Sequence, residues 1–152
     1  MRPDPGHGPF YLGVDVGGTN IKVGVVDSQA HSLSHVSLPT QPKLGPEVGL
    51  RTICEASRMA IEQSQLDISE IHAVGLATPG TMDIPKGLLL DPPNLPGWTN
   101  LPLRDQLSEA LGLPTTLQND ATPLPTANFG AAWRATQRVW CFSRWARESV
   151  AA

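Results

Sequence analysis

Apolar positions at the start of the chain follow the pattern of β-strands. Residues 10–16 form an almost continuous apolar run, and a second run, residues 21–26, follows the short glycine-containing stretch 17–20. Two such runs joined by a short turn are typical of a β-hairpin. Residues 33–38 predict a third strand.

Two stretches carry the three-and-four spacing of amphipathic helices. The first begins at Pro46, and the second begins at Pro102 and stops at Gly112, just before Pro114. The apolar stripes consist of Leu50, Ile53, Ala56, Ala60 and Ile61 in the first helix, and of Leu103, Leu107 and Leu111 in the second. Each helix therefore has one face to bury.

Two further strands and a long loop complete the pattern. Residues 71–77 predict a strand that ends before Pro79, and residues 115–118 predict a short last strand. Residues 84–97 are rich in proline and glycine and predict a loop. The order β-β-β-α-β-α-β predicts an α/β fold with a mixed sheet covered by helices.

Composition narrows the class of protein. The chain has 152 residues, of which 40% are hydrophobic and 16% charged, which favours one folded domain. A net charge of −3 without a basic run argues against binding to nucleic acid or to an anionic membrane. No apolar run has the length of a membrane span, and the first residues lack a signal-peptide pattern. Cys54 and Cys141 have no disulfide or metal-binding spacing, so we expect a cytoplasmic protein.

The turn between the first two strands is a candidate phosphate site. It reads DVGGTN over residues 15–20. Glycines leave backbone N–H groups open to a phosphate because no Cβ covers them, and Thr19 and Asn20 add side-chain donors. Asp15 would hold Mg²⁺, directly or through water, beside a polyphosphate. An ordinary hairpin turn explains the same glycines and asparagine, and Lys22 is interpreted as a solvated strand residue.

Further polar candidates follow the later strands. Asp83 lies just after the sequence ATPG, where a strand-terminating turn is the favoured explanation. Asn94 and Trp98 belong to DPPNLPGW, which is interpreted as locking a long loop onto the surface. Asn119-Asp120 ends the last strand. Its carboxylate could take a proton from a hydroxyl group, whereas an Asx turn or a helix cap explains the same pair.

The histidines and Cys54 suggest no chemistry. Their neighbours lack the spacing of metal ligands, so we expect solvated histidine side chains and a core position for Cys54. The four histidines are His7, His31, His35 and His72.

The ordered motifs together resemble the ROK family of sugar kinases and repressors, close to its glucokinases. The resemblance rests on DVGGTN at 15–20, GLATPGTMD at 75–83, NLPGW at 94–98 and NDA at 119–121. It implies an actin-like ATPase fold of the ribonuclease H type, with ATP and sugar in a cleft between two lobes. This chain would supply the amino-terminal lobe.

The resemblance also implies a role for each motif. The turn becomes the first phosphate loop, in which Asp15, Gly17, Gly18, Thr19 and Asn20 surround ATP and Mg²⁺. Asn119 would hydrogen-bond sugar hydroxyls, and Asp120 would be the catalytic base for phosphoryl transfer from ATP to the 6-hydroxyl of glucose or a related hexose.

The alternative within the family is a sugar-responsive transcriptional repressor. Such proteins carry a helix-turn-helix before the phosphate loop, and the few residues before Phe10 contain no visible module of that kind.

The family pattern stops after Ala121. In the family, a helix begun Asn-Ala-Ala-Ala follows this point, and a second glycine loop comes later, whereas this chain has Pro123 and Pro125. The codons can be regrouped so that each new codon takes the third base of one residue's codon and the first two bases of the next residue's codon. The regrouped codons permit NAAAYGE after Ala121 and LVLFTLGTGVGGG from Val139 onward. Trp140 with Cys141 then forces valine, and Trp145 with Ala146 forces glycine, because tryptophan has one codon.

We therefore predict a disordered leader over residues 1–9, a kinase lobe over 10–121, and an out-of-frame tail over 122–152 that follows the loss of one base near codon 121. A divergent tail with its own role is the alternative. With such a tail, the chain would lack the family's later sugar-binding residues, its adenosine pocket and its zinc motif. We therefore expect little kinase activity from it. The intact protein is compatible with a homo-oligomer.

Overall fold

The elements follow the order that the apolar pattern predicts, with two added strands, β5 and β6. The computed structural model describes residues 4–29 and 31–119, so Asp120 and the tail 122–152 lie outside the described residues. In chain order the elements are β1 (Phe10–Val16), β2 (Asn20–Val26), β3 (Val36–Pro39), α1 (Pro46–Gln63), β4 (Ile71–Thr78), β5 (Thr81–Asp83), β6 (Leu88–Asp91), α2 (Leu103–Leu111) and β7 (Thr115–Asn119).

Five strands form one mixed sheet in the order β3-β2-β1-β4-β7. β1 is antiparallel to β2 and parallel to β4, and β4 is parallel to β7. Asp15 is the register partner of Ala77, and Thr78 is the partner of Asn119. Because parallel strands end at the same edge of a sheet, this register brings the ends of three strands together. The predicted mixed sheet is confirmed.

The two helices cover one face of this sheet. Leu12 and Val14 of β1 pack with Ile53 of α1 and Leu107 of α2 in a single buried cluster. Tyr11, which points the other way because side chains alternate along a strand, belongs to a separate cluster. The predicted helical stripes are therefore the surfaces that build the core.

On the opposite face of the sheet, three adjacent glycines leave the centre without side chains. Gly24, Gly13 and Gly75 are register partners on β2, β1 and β4 and form a row across three strands. Without Cβ atoms, this row leaves room for another backbone to approach the sheet closely.

α1 begins, and α2 ends, where the sequence predicts. α1 begins at Pro46, whose missing N–H costs nothing in the first turn. α2 ends at Gly112, which has a left-handed φ of 68°, and the Gly112 N–H donates to the Ser108 carbonyl oxygen at 2.8 Å. This closes the helix with a conformation that glycine adopts without strain.

The predicted loop over residues 84–97 is partly wrong. Its residues Leu88–Asp91 form β6, which pairs antiparallel with β5. Leu89 also exchanges backbone hydrogen bonds with Leu101, at 2.8 and 2.9 Å. The short strand satisfies backbone groups of a segment whose Leu89 side chain is fully buried.

The described part of the leader is attached to the sheet. Pro5–His7 forms a 3-10 turn, and the Ser28 N–H and hydroxyl both donate to the His7 carbonyl oxygen, at 3.2 and 2.9 Å. Across residues 4–29 and 31–119, no helix combines the length and the apolar character that a membrane crossing requires.

Candidate functional site

The glycine turn between β1 and β2 is held in one conformation by hydrogen bonds. The Gly17 N–H donates to the Asn20 carbonyl oxygen at 2.9 Å and so closes the turn. Thr40 binds the turn from outside. Its hydroxyl donates to the Gly17 carbonyl oxygen at 2.7 Å and its N–H to that of Thr19 at 2.9 Å. The Gly17 N–H is therefore committed to the turn.

Close approach, rather than an unusual backbone conformation, requires the two glycines. Neither Gly17 nor Gly18 has a φ in the left-handed region. A Cβ on Gly18 would lie 2.6 Å from the Asn94 Cβ, and one on Gly17 would lie 3.0 Å from the Asn20 carbonyl oxygen. Within the described residues, the N–H groups of Gly18 and Thr19 have no hydrogen-bond acceptor. Backbone N–H groups left open in a turn are suited to contact an anion.

A cavity of about 320 Å³ lies beside the turn and is lined by every residue predicted to bind phosphate. Its lining residues are Asp15, Gly17, Gly18, Thr19, Asn20 and Lys22. Asp15 is 7% exposed and Lys22 is 8% exposed. The interpretation of Lys22 as a solvated strand residue is therefore wrong. It occupies the same face of the hairpin as Asp15, its register partner on β1.

Asp15 fits the predicted magnesium role by chemistry. Mg²⁺ is commonly held by one or two carboxylates together with phosphate oxygens of a substrate. Asp15 supplies a buried carboxylate at the edge of the cavity, next to the backbone donors of the turn. Among the described residues, there is no cluster of three histidine, cysteine or acidic side chains able to hold a metal by itself.

Asn119 lies at the same edge of the sheet, two strands away from Asp15. Its side-chain N–H donates to the Gly80 carbonyl oxygen, which ties the end of β7 to the turn after β4. Two strand spacings place the ends of β1 and β7 roughly 10 Å apart. Thr78, on the strand between them, is fully buried, and its hydroxyl has no hydrogen-bond partner within the described residues. Asp120, the predicted base, lies outside the described residues.

Leu95 and Trp98 of the NLPGW segment pack into the core, whereas Asn94, Pro96 and Gly97 are exposed. Trp98 is fully buried, and a Cβ on Gly49 of α1 would lie 2.1 Å from its ring. Asn94, four residues earlier, contacts Gly18 closely enough to exclude a side chain there. The segment therefore joins helix α1 to the glycine turn, a contact that its sequence did not reveal.

Asp83 has the structural role that its position favours. Its carboxylate accepts from the Lys86 N–H at 3.2 Å and lies 3.7 Å from the Lys86 ammonium group. These contacts close the turn after β5.

Two of the histidines make specific contacts. His31 Nδ1 lies 3.0 Å from the buried Asp27 carboxylate, and His7 Nδ1 lies 3.9 Å from the same oxygen. His35 is half-buried, and burial, followed by the charge of Lys22, lowers its pKa. The expectation of four solvated histidines is therefore wrong for His35.

Cys54 is a core residue of α1, as predicted, and is 7% exposed. Burial raises the pKa of its thiol. A protonated buried thiol behaves as a small apolar group.

Comparison with known proteins places this site in a family. A family model described as ROK family matches residues 11–140, which includes residues on both sides of Ala121. A glucokinase of Thermotoga maritima is 37% identical over 110 residues, which are 72% of this chain and 33% of that protein. The chain thus spans about a third of the length of this relative.

Solved structures agree with the sequence comparison. A ROK hexokinase from Thermus thermophilus superposes with a TM-score of 0.67 at 38% identity, over 74% of this chain and 35% of that one. A ROK family glucokinase from Streptomyces griseus, in complex with glucose and AMPPNP, superposes with a TM-score of 0.65 at 36% identity, over 74% of this chain and 33% of that one. The fold is that of the actin-like ATPase kinases, and the chain belongs to the ROK family.

Proposed function

We propose that the chain is the amino-terminal lobe of an ATP-dependent hexose kinase, which transfers a phosphoryl group from ATP to the 6-hydroxyl of a sugar. The observation that carries the proposal is the cavity at the glycine turn. There the buried Asp15 carboxylate lies beside two backbone N–H groups, of Gly18 and Thr19, that have no acceptor in the described residues. That combination suits a phosphate chain with its magnesium ion.

The proposed roles follow from position. Gly18, Thr19 and Asn20 would donate hydrogen bonds to phosphate oxygens, while Gly17 shapes the turn. Asp15 would hold Mg²⁺, which when bound offsets charge on the transferring phosphate. Phosphoryl transfer depends mainly on positioning and electrostatic stabilisation, which fixed backbone donors provide without reorganisation.

The sugar side of the reaction is assigned to the end of β7. Asn119 would hydrogen-bond sugar hydroxyls, and Asp120 would accept the proton of the attacking hydroxyl as the new bond forms. Glucose is the proposed substrate, because the Thermotoga maritima relative is named a glucokinase and the Streptomyces griseus structure contains glucose. A general base contributes a factor of roughly 10² to 10⁴ to the rate.

We also propose that residues 122–152 are read out of frame and that the 152-residue polypeptide has little or no kinase activity of its own. The regrouped codons support the first part, since they permit an alanine-rich helix after Ala121. The glycine row of Gly24, Gly13 and Gly75 suits close packing of such a helix against the sheet.

The nucleotide sequence from codon 119 onward, translated in all frames, tests the reading frame. A continuous second frame with NAAAYGE after Ala121 is expected. Its absence would leave the divergent tail as the explanation for residues 122–152.

The activity is tested on a gene with one base restored near codon 121. The longer protein is expected to phosphorylate glucose with ATP and Mg²⁺, and Asp120→Asn to lower kcat by about 10² to 10⁴. Asp105→Asn, which changes an exposed carboxylate on α2, is the matched control and should keep full activity. A restored protein that folds but transfers phosphate to no hexose would refute the kinase proposal, and glucose phosphorylation by the 152-residue chain would refute its inactivity.

A further inference from the structure

Thr40 is a fully buried polar residue that contacts the glycine turn from the neighbouring strand. It follows β3, whose last residue, Pro39, is the register partner of Asn20 on β2. The Thr40 hydroxyl donates to the Gly17 carbonyl oxygen at 2.7 Å, and the Thr40 N–H donates to the Thr19 carbonyl oxygen at 2.9 Å. Because Thr40 is 0% exposed, it acts on the site through these two hydrogen bonds and not by touching a ligand.

The hydrogen bond to Gly17 also fixes the direction of a neighbouring donor. The Gly17 carbonyl and the Gly18 N–H belong to the same planar peptide unit, and this unit is trans. In a trans unit, the C=O and N–H bonds point in opposite directions. The Thr40 hydroxyl holds the carbonyl on its own side, so the Gly18 N–H points away from Thr40, and Gly18 lines the cavity.

This peptide unit needs an external constraint because it lies between two glycines. A residue without a Cβ adopts left-handed and right-handed backbone conformations with similar ease, so a unit flanked by Gly17 and Gly18 can turn over at little cost. Turning over would exchange the places of the carbonyl oxygen and the N–H. Thr40 opposes this exchange, since it would break the 2.7 Å hydrogen bond and leave the buried hydroxyl facing an N–H group.

The backbone just after Thr40 has an unusual conformation. Gln41 has φ 50° and ψ 56°, which is the left-handed region that residues with a Cβ rarely adopt. Gln41 is exposed, so packing of its own side chain does not explain this conformation. Unfavourable backbone conformations persist where the surrounding contacts require them. The contacts in question are those that keep Thr40 buried against the turn while the chain leads on towards α1.

We propose that Thr40 is a positioning residue for phosphoryl transfer, which keeps the Gly18 N–H directed into the cavity by holding the Gly17 carbonyl. The inference rests on the proposed function and adds to it a residue that contacts neither ATP nor sugar. Donors that are fixed in advance need no reorganisation when charge develops on the transferring phosphate. Without the hydroxyl, the peptide unit would populate both orientations, and the apparent affinity for ATP would fall with the fraction that is correctly oriented.

The direction of the N–H bond is measured on the 152-residue chain by residual dipolar couplings, which report the orientation of each backbone N–H. In the original protein, the Gly18 coupling is expected to fit an N–H bond that points away from Thr40. Thr40→Val removes the hydroxyl and should change this coupling, whereas Thr40→Ser keeps the hydroxyl and should preserve it. Thr52→Val is the matched control, because the Thr52 hydroxyl also donates to a backbone carbonyl oxygen, that of Val48 at 3.0 Å, but within α1.

The effect on the reaction is measured on the protein with the reading frame restored. Thr40→Val is expected to lower kcat/KM for ATP by about tenfold or more, because a fixed donor is lost on the phosphate side of the site. The KM for glucose should stay unchanged. Thr40→Ser should recover most of the loss, and Thr52→Val should behave as the parent does. A purely structural threonine would lower the urea midpoint without changing the Gly18 coupling or the kinetics with ATP.

The outcomes distinguish this inference from the proposed function. If the restored protein is active and Thr40→Val leaves kcat/KM for ATP unchanged, the kinase proposal stands and the inference about Thr40 is wrong. A Gly18 coupling that does not fit in the original protein, or that Thr40→Val does not change, overturns the inference as well. If the restored protein phosphorylates no hexose, the kinase proposal is refuted, and the role of Thr40 in transfer with it. Should Thr40→Val fail to fold, Thr40→Ala removes the hydroxyl without placing a methyl group against the carbonyl, and the same readouts apply.

Discussion

The buried carboxylate of Asp27 contacts three hydrogen-bonding groups of Gln29 and His31. Its Oδ1 accepts from the N–H groups of Gln29 and His31 at 2.9 and 2.8 Å, and its Oδ2 lies 3.0 Å from His31 Nδ1. Burial raises the pKa of Asp27, but the hydrogen bonds from His31 and Gln29 outweigh that effect, so the pKa is lowered. The ionised form therefore stabilises the fold at the end of β2.

Asp27→Asn is expected to reveal this contribution as a pH-dependent loss. A lowered pKa means that the stabilisation is complete above the unfolded-state pKa and disappears as the pH falls through the folded-state pKa. The variant should lose about 1–2 kcal/mol in free energy of unfolding at pH 7, and much less in strongly acid solution, where Asp27 of the original protein is protonated too. Urea titrations at both pH values measure the difference. Asp105→Asn, at an exposed site, should change little, and an equal loss for Asp27→Asn at both pH values would contradict the electrostatic explanation.

At the scale of single residues, the local sequence predicted where the turn residues lie, but it did not predict that Lys22 is buried. The turn residues Gly18 and Thr19 are in the cavity because the turn itself is local. A lysine within an apolar strand usually marks the solvated face, and the chain's pattern gives no sign that both faces of β2 are covered. Its true environment depends on its register with Asp15 and on packing from distant parts of the chain.

At the scale of elements, α1 and the NLPGW segment are fitted to each other at Gly49. Glycine in a helix interior is unfavourable by about 1 kcal/mol relative to alanine, so propensity alone predicts that Gly49→Ala stabilises α1. The structure predicts the opposite, because the added Cβ would lie 2.1 Å from the Trp98 ring. The contact is with a fully buried aromatic ring, which can shift only by displacing its neighbours.

Gly49→Ala is therefore expected to lower the free energy of unfolding by about 1–3 kcal/mol, the usual cost of overpacking a core. Displacement of Trp98 should also speed hydrogen exchange of its indole N–H, which NMR detects as a separate signal. Glu55→Ala, an exposed alanine substitution in the same helix, serves as the control and should stabilise slightly or have no effect. If the Gly49→Ala protein were more stable than the original and its indole exchange were unchanged, the Trp98 ring would accommodate the added Cβ without loss of stability, contrary to this prediction.

The long periodic helices were predictable, whereas the short strands β5 and β6 were not. The apolar stripes of α1 and α2 specify that they are helices, Pro46 marks the start of α1, and Gly112 marks the end of α2. The strand Leu88–Asp91 has too few residues to show alternation, and its flanking prolines and glycines indicate a loop. Its pairing depends on β5 and on Leu101, neither of which its own sequence specifies.

At the scale of the whole molecule, the site is assembled by topology. Asp15 and Asn119 are far apart in sequence and lie at one edge because β1, β4 and β7 run parallel. The family resemblance implied that the motifs face one cleft, and it did not specify the strand order that brings them there. Apolar periodicity alone predicted the strands but not their order, since the pairing of parallel strands is decided by the helices that connect them.

Leu107→Ala tests whether the sheet and both helices unfold as one unit. Leu107 of α2 is fully buried in the same cluster as Ile53 of α1 and Val14 of β1, so removing its side chain should cost about 2–5 kcal/mol in free energy of unfolding. Because the core is shared, amide hydrogen exchange should accelerate to a similar extent in α1, α2 and β1. Met59→Ala, at a side chain 42% exposed, should change the free energy by less than about 0.5 kcal/mol. Faster exchange confined to α2 and β7 would instead mean that these elements open separately, leaving the glycine turn on an independent subdomain.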